Sequence, residues 1–308
     1  MTREEGPDAV AIADLPEPDA DLVVAVRAAG VSFPDLLMTR GEYQLRQPLP
    51  FTLGWEAAGD VLRAPADGPF AVGDRVMTLS FGAHAEQVAA VPEATFPLPE
   101  ELSYEEGASL PLNYLTALAA LERRGRLRAG EAVLVHGAAG GVGTAAIQVA
   151  KALGARVAAA VSTDDKAETA RRAGADETVV GDDFRSQLSG PVDLVVDPVG
   201  GNERFKESLR ALAPEGRLVV VGFTAGEIPE VKVNRLLLRN VDVCGCTWSI
   251  LASTPTGVAD AVARLADLVS TGAIRPLVGS VRPLEEGPAA LRDLAERRAT
   301  GKVVLTLG

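Results

Sequence analysis

A glycine-rich loop between a predicted strand and a predicted helix constrains the fold of this chain more than any other segment. After the apolar run 133–136 comes Gly-Ala-Ala-Gly-Gly-Val-Gly at 137–143, and an amphipathic helix follows to about Lys151. Glycine at such a junction lets the backbone approach a pyrophosphate, whose charge is then stabilised by free N–H groups at the helix N-terminus. The loop therefore predicts a dinucleotide site, formed by Ala139, Gly140, Gly141, Val142 and Gly143.

The glycine pattern is incomplete, and glycine-rich loops also occur as plain tight turns. A strict G-x-G-x-x-G motif would need glycine at Ala138, so that only Gly140 and Gly143 fit it. The context favours the nucleotide interpretation, because a second predicted strand, Ala155–Val161, follows at the distance of a βαβ unit. A dinucleotide site in turn indicates redox chemistry.

The end of that second strand bears on the choice of cofactor. A carboxylate there would bind the ribose 2′-hydroxyl of NAD, whereas hydroxyls and a cation suit the 2′-phosphate of NADP. Here the strand is followed by Ser162, Thr163 and, shortly after, Lys166. Asp164 and Asp165 lie slightly beyond the strand, where acids are typical of a helix N-terminus. The sequence thus favours NADPH bound by Ser162 and Lys166, although a solvated helix residue is the alternative for Lys166.

Composition excludes several classes of function. The 308 residues are long enough for two domains, and the net charge of −12 argues against a general nucleic-acid or anionic-membrane surface. No apolar run approaches the roughly 20 residues that span a bilayer, and the N-terminus lacks the apolar core of a signal peptide, so we expect a cytoplasmic protein. Cys244 and Cys246 lack further ligands nearby, and His84 and His136 are too scattered for a cluster, so no metal site is predicted. His136 is expected simply to pack at the end of its strand.

The pattern of the sequence changes twice along the chain. Residues 1–112 contain short Val-rich runs separated by glycine and proline, which predicts a twisted, partly closed β-domain. Residues 113–250 alternate strands and helices, which predicts an α/β fold, a doubly wound parallel sheet of the Rossmann type with the cofactor at its switch point. The predicted strands are 132–136, 156–161, 178–180, 193–197, 217–221 and 241–247, with helices near 142–153, 165–173 and 203–212 and a loop at 213–216.

Residues 251–308 are predicted to return to the first domain. They contain two amphipathic helices, near 257–268 and 285–298, and a closing strand, 302–307, that has no place in the completed six-strand sheet. The last strand of that sheet, 241–247, forms an apolar edge, and pairing with a second copy would bury it. We therefore expect a homodimer through this edge.

Several segments have sequence motifs that are typical of a known family. They are Gly30-Val-Ser-Phe-Pro-Asp-Leu-Leu37, Arg40-Gly-Glu-Tyr43, Gly73-Asp-Arg-Val76, Leu110-Pro-Leu-Asn-Tyr-Leu-Thr-Ala117, the loop up to Gly143, Gly222-Phe-Thr-Ala-Gly-Glu-Ile-Pro229 and Gly301-Lys-Val-Val-Leu305. Together they resemble the zinc-independent, zeta-crystallin-like quinone oxidoreductases of the medium-chain dehydrogenase/reductase superfamily. The resemblance covers essentially the whole chain and implies a GroES-like catalytic domain and NADPH-dependent hydride transfer to a quinone or related enone. Gly54-Trp55-Glu56 stands where the zinc-dependent branch usually has Gly-His-Glu, so metal-free chemistry is implied.

The resemblance also implies roles for individual residues. Tyr43 and Ser32 are the candidate catalytic residues, donors to the charge that develops on the acceptor oxygen. The implied cofactor contacts outside the loop are Asn113, Thr116, Gly222, Phe223 and, at the 2′-phosphate, Arg298. Trp248 is a candidate for lining the acceptor pocket. Packing roles are the alternatives for Tyr43 and Trp248, and a surface role is the alternative for Arg298.

Some features depart from the family pattern or leave the function open. Ser32 replaces a common asparagine, and Gly181 stands where a tyrosine often covers the adenosine phosphate, which weakens the NADPH inference. Aromatic residues make up only 4% of the chain, which predicts a shallow apolar acceptor slot in place of a flat stacking cage. An enoyl thioester reductase is one alternative, with Arg40 and Arg46 as the local candidates for the phosphates of a coenzyme A ester. A nucleotide-binding structural or regulatory protein without turnover is the other.

Overall fold

Two units of chain are distinguished in the computed structural model, which describes residues 1–247 and 257–307. Unit 1 comprises Met1–Leu112 and Pro276–Gly308, and unit 2 comprises Asn113–Arg275. The chain therefore rejoins unit 1 at Pro276, whereas the sequence analysis placed the return at residue 251. Trp248 lies outside the described residues.

The helix Gly257–Ser270 explains why the chain returns to unit 1 later than the sequence analysis expected. Its predicted apolar face is buried at Val262 and Leu265. Just beyond it, the Arg275 backbone N–H donates to the side-chain oxygen of Gln148 at 3.0 Å, which ties this segment to unit 2. The amphipathic pattern identifies the helix, but it does not say which core the apolar face joins.

Unit 1 is built on a seven-stranded sheet. Its strands are β1 (Val23–Val31), β2 (Ala57–Arg63), β3 (Arg75–Thr78), β4 (Gln87–Ala89), β5 (Thr95–Pro97), β12 (Val278–Pro283) and β13 (Lys302–Thr306). The order is β12-β13-β1-β2-β3-β5, with β4 paired to β1, and every pair is antiparallel except β12 with β13. The closing strand β13 does return to the first domain, where Ala28 pairs with Thr306 and Val31 with Val303.

Two apolar cores and a few short helices complete unit 1. The helices are α1 (Phe33–Thr39), α2 (Tyr104–Gly107), the first turn of α3 (Pro111–Leu118) and α10 (Gly287–Ala295). One core includes Leu22, Val24, Val61, Val76 and Val88, and the other includes Leu36, Met38, Leu53, Leu291 and Leu305. The second core lies under α1 and α10, and it is the one against which the candidate catalytic residue Tyr43 packs.

Unit 2 is built on a six-stranded parallel sheet. Its strands are β6 (Ala132–His136), β7 (Arg156–Val161), β8 (Glu177–Val180), β9 (Val192–Asp197), β10 (Leu212–Val220) and β11 (Asp242–Gly245). The order is β11-β10-β9-β6-β7-β8, and every pair is parallel. The predicted doubly wound sheet is confirmed, and its switch point lies between β6 and β9, where the direction of strand addition reverses.

Helices connect these strands, and those predicted near 142–153, 165–173 and 203–212 are present. They are α4 (Gly141–Ala152), α5 (Asp164–Arg172), α6 (Phe184–Gln187), α7 (Asn202–Ala211), α8 (Asn234–Leu237) and α9 (Gly257–Ser270), and α3 continues as a π-helical turn at Ala119–Arg124. In α5, Asp164 and Asp165 lie in the first turn, where acids are expected and stabilise the helix through its dipole, and the N-cap is Thr163. Gly174 follows the end of α5 at a φ of +103°, a conformation that favours glycine.

The predicted loop at residues 213–216 is part of β10 in the structure. Leu212 pairs with Val192, and pairing resumes only at Arg217, which is opposite Leu194. Glu215 has a φ of +64° between these two points. The proline and glycine therefore mark an irregularity within a strand, because the chain stays in the sheet on both sides of it.

No helix in the described part of the chain is both long and apolar enough to cross a membrane.

Candidate active site

The glycine-rich loop joins the end of β6 to the start of α4 within unit 2. At Gly143 a Cβ atom would lie 2.2 Å from the carbonyl oxygen of Gly137 and 2.7 Å from Cα of Ala138. Only glycine therefore allows the helix to approach the loop this closely. Gly140 is different, since a Cβ atom there would meet only the Gly137 oxygen, at an ordinary 3.5 Å. The two glycines of the partial motif thus have distinct roles: Gly143 permits packing, and Gly140 leaves open space.

The first turn of α4 is suited to an anion. The helix's first hydrogen bond runs from the Thr144 N–H to the Gly140 carbonyl at 2.9 Å, so the N–H groups of Gly141, Val142 and Gly143 precede it. Within the described residues, no side chain caps this terminus and no acid lies in its first turn. The free N–H groups and the helix dipole favour negative charge here. The loop fits the pyrophosphate of a dinucleotide.

Asn113 lies against this loop. A Cβ atom on Gly141 would be 2.5 Å from Asn113 Nδ2, so the amide fills the space that glycine leaves. Asn113 and Thr116 are both buried on α3, one turn apart. The structure thus brings Asn113 to the glycine-rich loop, and the nicotinamide contact of Thr116 stays a prediction.

Ser162 and Lys166 come together just beyond the end of β7. Lys166 Nζ donates to Ser162 Oγ at 3.2 Å, across the first turn of α5. A hydroxyl and an ammonium side by side are a suitable pair for a 2′-phosphate. Gly181, at the end of β8, has a φ of +84°, so a tyrosine in its place would be strained in this backbone conformation.

Gly222 and Phe223 follow β10 at the same edge of the sheet. The Gly222 N–H donates to the Asp197 carbonyl at 3.4 Å, which aligns this loop with the one after β9. A Cβ atom on Gly200 would lie 3.0 Å from Phe223 Cδ1, so the ring packs on that second loop. Both residues therefore lie at the carboxyl ends of the strands, where ligands bind in such sheets.

Asp197, at the end of β9, is a residue that sequence reasoning missed. Its Oδ1 accepts hydrogen bonds from the N–H groups of Val199 at 2.9 Å and Gly200 at 3.0 Å, which fixes the loop beside Phe223. Its Oδ2 is buried without a hydrogen-bond partner in the described part of the chain. The available signal was an acid directly after an apolar strand, in Asp-Pro-Val-Gly-Gly at 197–201.

His136 packs at the end of β6, as expected. Its ring meets Phe184 edge to face at a centroid distance of 4.8 Å, and Nε2 lies 2.7 Å from Ser208 Oγ. Since the Ser208 hydroxyl donates to the Arg204 carbonyl, it accepts from His136 Nε2–H. Burial lowers the pKa of His136 to about 4, against the opposing effect of the Asp197 charge. The imidazole is therefore neutral at physiological pH.

Ser32 has a structural partner in unit 1. Its backbone N–H donates to Asp35 Oδ2 at 2.8 Å, and its hydroxyl donates to the same oxygen at 2.5 Å. The other carboxylate oxygen of Asp35 accepts from the Gly54 N–H at 2.9 Å. All of these groups are buried, so Ser32 serves as the N-cap of α1 and its proton is already donated. Direct donation from Ser32 to an acceptor would require breaking this bond, and its catalytic role stays a prediction.

Tyr43 belongs to a cluster of four aromatic rings, Tyr43, Phe51, Trp55 and Phe81. The Tyr43 and Trp55 ring centroids lie 5.8 Å apart at an interplanar angle of 65°, and those of Trp55 and Phe81 lie 5.1 Å apart at 59°. Burial raises the pKa of the Tyr43 phenol, and the Asp35 charge adds to this effect. Tyr43 therefore keeps its proton at neutral pH and can donate a hydrogen bond. Composition alone did not predict that a chain so poor in aromatics would gather four of them in one place.

A buried ion pair next to this cluster was also missed. Lys302 Nζ and Glu56 Oε1 form a salt bridge, and both side chains are almost completely buried. Glu56 Oε2 accepts from the Leu112 N–H at 2.7 Å. A Cβ atom on Gly30 would lie 2.6 Å from Lys302 Cε, so glycine makes room for the pair. Burial raises the pKa of Glu56, and the Lys302 ammonium acts against that shift.

The predicted phosphate-binding arginines are placed in unit 1. Arg298 donates to Asp293 Oδ1 from both Nε and Nη2, at 3.0 and 2.7 Å, and it also pairs with Glu296. Its role at the 2′-phosphate stays a prediction. Arg46 is exposed and lies 4.0 Å from Glu4, and both residues border a shallow depression beside Tyr43.

No group of three or more histidine, cysteine, aspartate or glutamate side chains that could hold a metal ion occurs in the described ranges 1–247 and 257–307.

Comparison with known proteins identifies the family. The model of the alcohol dehydrogenase GroES-like domain matches residues 18–100, and that of zinc-binding dehydrogenases matches residues 141–266. Quinone oxidoreductase-like protein 2 of Bos taurus is 40% identical over 297 residues, covering 92% of this chain and 84% of that protein. The chain belongs to the quinone oxidoreductase family of the medium-chain dehydrogenase/reductase superfamily.

Solved structures agree with this membership. The crystal structure of a probable oxidoreductase from Mycobacterium abscessus is 43% identical and superposes with a TM-score of 0.90, covering 99% of this chain and 97% of that one. The quinone oxidoreductase of Thermus thermophilus, solved also in complex with NADPH, is 40% identical with a TM-score of 0.85, covering 99% and 98%. The resemblance to quinone oxidoreductases of the medium-chain dehydrogenase/reductase superfamily, including the GroES-like domain, is confirmed.

Proposed function

We propose that this oxidoreductase transfers hydride from NADPH to a quinone or a related enone without a metal. The observation that carries the proposal is the edge of the unit 2 sheet. There the open first turn of α4 and the Ser162–Lys166 pair follow neighbouring strands, β6 and β7. The first suits a pyrophosphate and the second a 2′-phosphate, which is the pattern of NADPH.

Hydride transfer requires the protein to position the cofactor and the acceptor and to supply one hydrogen-bond donor. Bound NADPH supplies a hydride, which is two electrons and one proton, and a second proton from solvent completes reduction of a quinone to a hydroquinone. Tyr43 is the candidate donor to the acceptor oxygen, because its phenol stays protonated and has no hydrogen-bond partner in the described part of the chain. Asn113 supports the cofactor loop through its contact at Gly141.

The residue type at position 55 supports the proposal that hydride transfer needs no metal. Trp55 stands between Gly54 and Glu56, where the zinc-dependent branch usually has a histidine ligand. An indole does not coordinate zinc, and the neighbouring Glu56 is already paired with Lys302. Zinc content of the purified protein, measured by elemental analysis before and after chelation, tests this part.

An enoyl thioester reductase is the second candidate. Arg46 borders the same depression as Tyr43 and has only a long contact with Glu4, so it is available to a phosphate of a coenzyme A ester. This candidate shares the cofactor site of the first, and the two differ only in the acceptor.

The test is consumption of NADPH, with NADH in parallel, against ortho- and para-quinones, simple enones and crotonyl-CoA. We expect quinone-dependent consumption that is at least about tenfold faster with NADPH, since one charge-assisted bond to the 2′-phosphate is worth that factor. Lys166→Ala should remove this preference, whereas Arg171→Ala, on the same helix but paired with Glu168, should keep it. Preference for crotonyl-CoA would assign the protein to the enoyl reductases. Tight NADPH binding without any turnover would indicate a binding protein.

We further propose that the protein acts as a cytoplasmic homodimer. Its two cysteines are unpaired, which suits a reducing compartment. The dimer would form through β11, the edge strand of the unit 2 sheet.

A further inference from the structure

We propose that Glu227 is a positioning residue for the nicotinamide half of the cofactor, because its carboxylate holds together the loops that follow β9 and β10. The β9 loop is defined as residues 198–201 and the β10 loop as residues 222–227. Glu227 bonds to Asn202, and these two side chains are called the clamp. This inference rests on the proposed function, and it assigns a residue that acts on the cofactor through the loops alone.

The two loops continue the parallel pairing of β9 and β10 beyond the ends of the strands. The Ala225 N–H donates to the Val199 carbonyl at 2.9 Å. Two residues further along, the Gly201 N–H donates to the Glu227 carbonyl at 3.0 Å. The loops therefore form a short backbone ladder, and Glu227 lies at its far end.

The Glu227 side chain closes this end of the ladder. Its Oε2 accepts from the Asn202 backbone N–H at 3.0 Å, and its Oε1 accepts from Asn202 Nδ2 at 2.5 Å. Asn202 Oδ1 in turn accepts from the Glu230 N–H at 2.8 Å. The bonds from Asn202 lower the pKa of Glu227, so its carboxylate is charged at neutral pH. A charged group that accepts at both oxygens thus joins the β10 loop to the start of α7.

The place of the clamp at the N-terminus of α7 favours a carboxylate. Asn202 is the first residue of α7, whose first N–H groups have no partner within the helix. Gly201 is the N-cap residue, and glycine has no side chain that could accept from them. Glu227 supplies the acceptor from the other loop, and the helix dipole stabilises its negative charge there.

The clamped loops lie against the glycine-rich loop and include the predicted cofactor residue Phe223. A Cβ atom on Gly137 would lie 3.0 Å from Val199 Cγ2, so the β9 loop packs on the glycine-rich loop. A Cβ atom on Gly200 would lie 2.9 Å from the Glu227 carbonyl oxygen and 3.0 Å from Phe223 Cδ1, so the two loops are in direct contact. Release of the clamp would therefore free Phe223 and the β9 loop together.

The order of the strands indicates which half of the cofactor depends on the clamp. The 2′-phosphate candidates Ser162 and Lys166 follow β7, and the open first turn of α4 follows β6. Strands β9 and β10 lie on the other side of β6 from β7. A dinucleotide with its 2′-phosphate at β7 and its pyrophosphate at β6 therefore extends its nicotinamide half toward the β9 and β10 loops.

Binding titrations with two probes test the clamp independently of turnover. Glu227→Ala should weaken NADPH binding about fivefold, the factor for one net hydrogen bond, because NADPH must then order the loops itself. The fragment 2′,5′-ADP has the 2′-phosphate but no nicotinamide, so its affinity should be unchanged, which also shows that unit 2 is folded. Equal NADPH affinity of the variant and the parent protein would overturn the proposal, and so would equal weakening of both probes.

A matched control removes the same charge next to the clamp. Glu203 follows Asn202 in the first turn of α7, is exposed and pairs with Lys206. Glu203→Ala should therefore leave the affinities for NADPH and 2′,5′-ADP unchanged. A loss of NADPH affinity equal to that of Glu227→Ala would assign the effect to charge near α7 and overturn the role of the clamp.

Exchange of the two clamp groups tests whether their hydrogen bonds are the cause. Glu227→Gln alone directs an amide donor at the donors of Asn202, and Asn202→Asp alone brings two carboxylates together, so each should weaken NADPH binding. In the double variant the new glutamine accepts from the backbone N–H of residue 202 and donates to the new aspartate, whose other oxygen accepts from the Glu230 N–H. NADPH affinity should return to within about twofold of the parent protein. A double variant as weak as the weaker single variant would overturn the proposal.

The outcomes separate this inference from the proposed function. Because the clamp acts on the cofactor, Glu227→Ala should lower kcat/KM for NADPH by the same factor with a para-quinone, a simple enone and crotonyl-CoA. An effect confined to one acceptor would contradict the assigned role. A parent protein that binds NADPH but reduces none of these acceptors would overturn the proposed activity, and the titrations would still decide the role of Glu227. A parent protein that binds no NADPH would overturn both.

Discussion

At the scale of single residues, His136 makes the stability of unit 2 depend on pH. Its pKa is about 4 in the folded protein against 6.5 for a free imidazole, so protonation favours the unfolded chain. The stability is complete above pH 6.5 and falls as the pH decreases toward 4, by up to about 3 kcal/mol. Urea unfolding between pH 4 and 7 should show this loss, and His136→Gln should reduce it. A slope unchanged by His136→Gln would contradict the assignment.

At the scale of elements, substitutions of the two motif glycines in the loop between β6 and α4 should have different effects on stability. Gly143→Ala would place a Cβ atom 2.2 Å from the Gly137 carbonyl, so the helix must shift, at a cost of about 1–3 kcal/mol. Gly140→Ala meets the same oxygen at 3.5 Å with an ordinary φ, so it should cost less than about 1 kcal/mol. Both should weaken NADPH binding, the second by adding a methyl group on the open side of the loop. Denaturation and cofactor titration measure the two effects, and equal stability of the variants would refute this division.

The Glu56–Lys302 pair connects the segment before β2 to the start of β13. Lys302→Met would leave a carboxylate buried without its partner, and we expect a loss of about 3–5 kcal/mol in the free energy of unfolding. The double variant Glu56→Gln, Lys302→Met removes both charges and should recover part of this loss. Lys151→Met breaks the exposed pair with Asp176 and should cost less than about 1 kcal/mol. Chemical denaturation gives the free energy of unfolding of all three variants. Comparable losses in Lys302→Met and Lys151→Met would contradict the effect of burial.

The glycine-rich loop and the Glu56–Lys302 pair show what the sequence could and could not predict. The strand, loop and helix around Gly143 are a local pattern, so their positions followed from residues close together in the chain, and the dinucleotide contacts of the loop stay a prediction. Glu56 and Lys302 are far apart in sequence, and neither has a local pattern that indicates a partner. The aromatic cluster around Trp55 is likewise a product of tertiary packing, and Ser32 looked like a free donor because Asp35 was not recognised as its acceptor. Local structure was thus predictable, whereas long-range pairing was not.

At the scale of the whole molecule, the prediction of a dimer rests on one edge of the unit 2 sheet. Strand β11 is the end of the sheet, and in the described part of the chain it pairs with β10 alone. Val243 on this strand is exposed, and so are Val233, Leu237 and Leu238 around the short helix α8. Such an edge with apolar neighbours favours association with a second copy.

A charge on this edge should therefore dissociate the dimer. Val243→Lys places an ammonium where two β11 strands would pair, and we expect the dissociation constant of the dimer to rise at least about 100-fold, because burying an unpaired charge costs several kcal/mol. Sedimentation velocity over a range of concentrations measures this. Val281→Lys makes the same change on β12, the exposed edge of the unit 1 sheet, and should leave the dimer intact. A monomeric parent protein, or a Val243→Lys variant that sediments as a dimer, would show that this edge is not the interface.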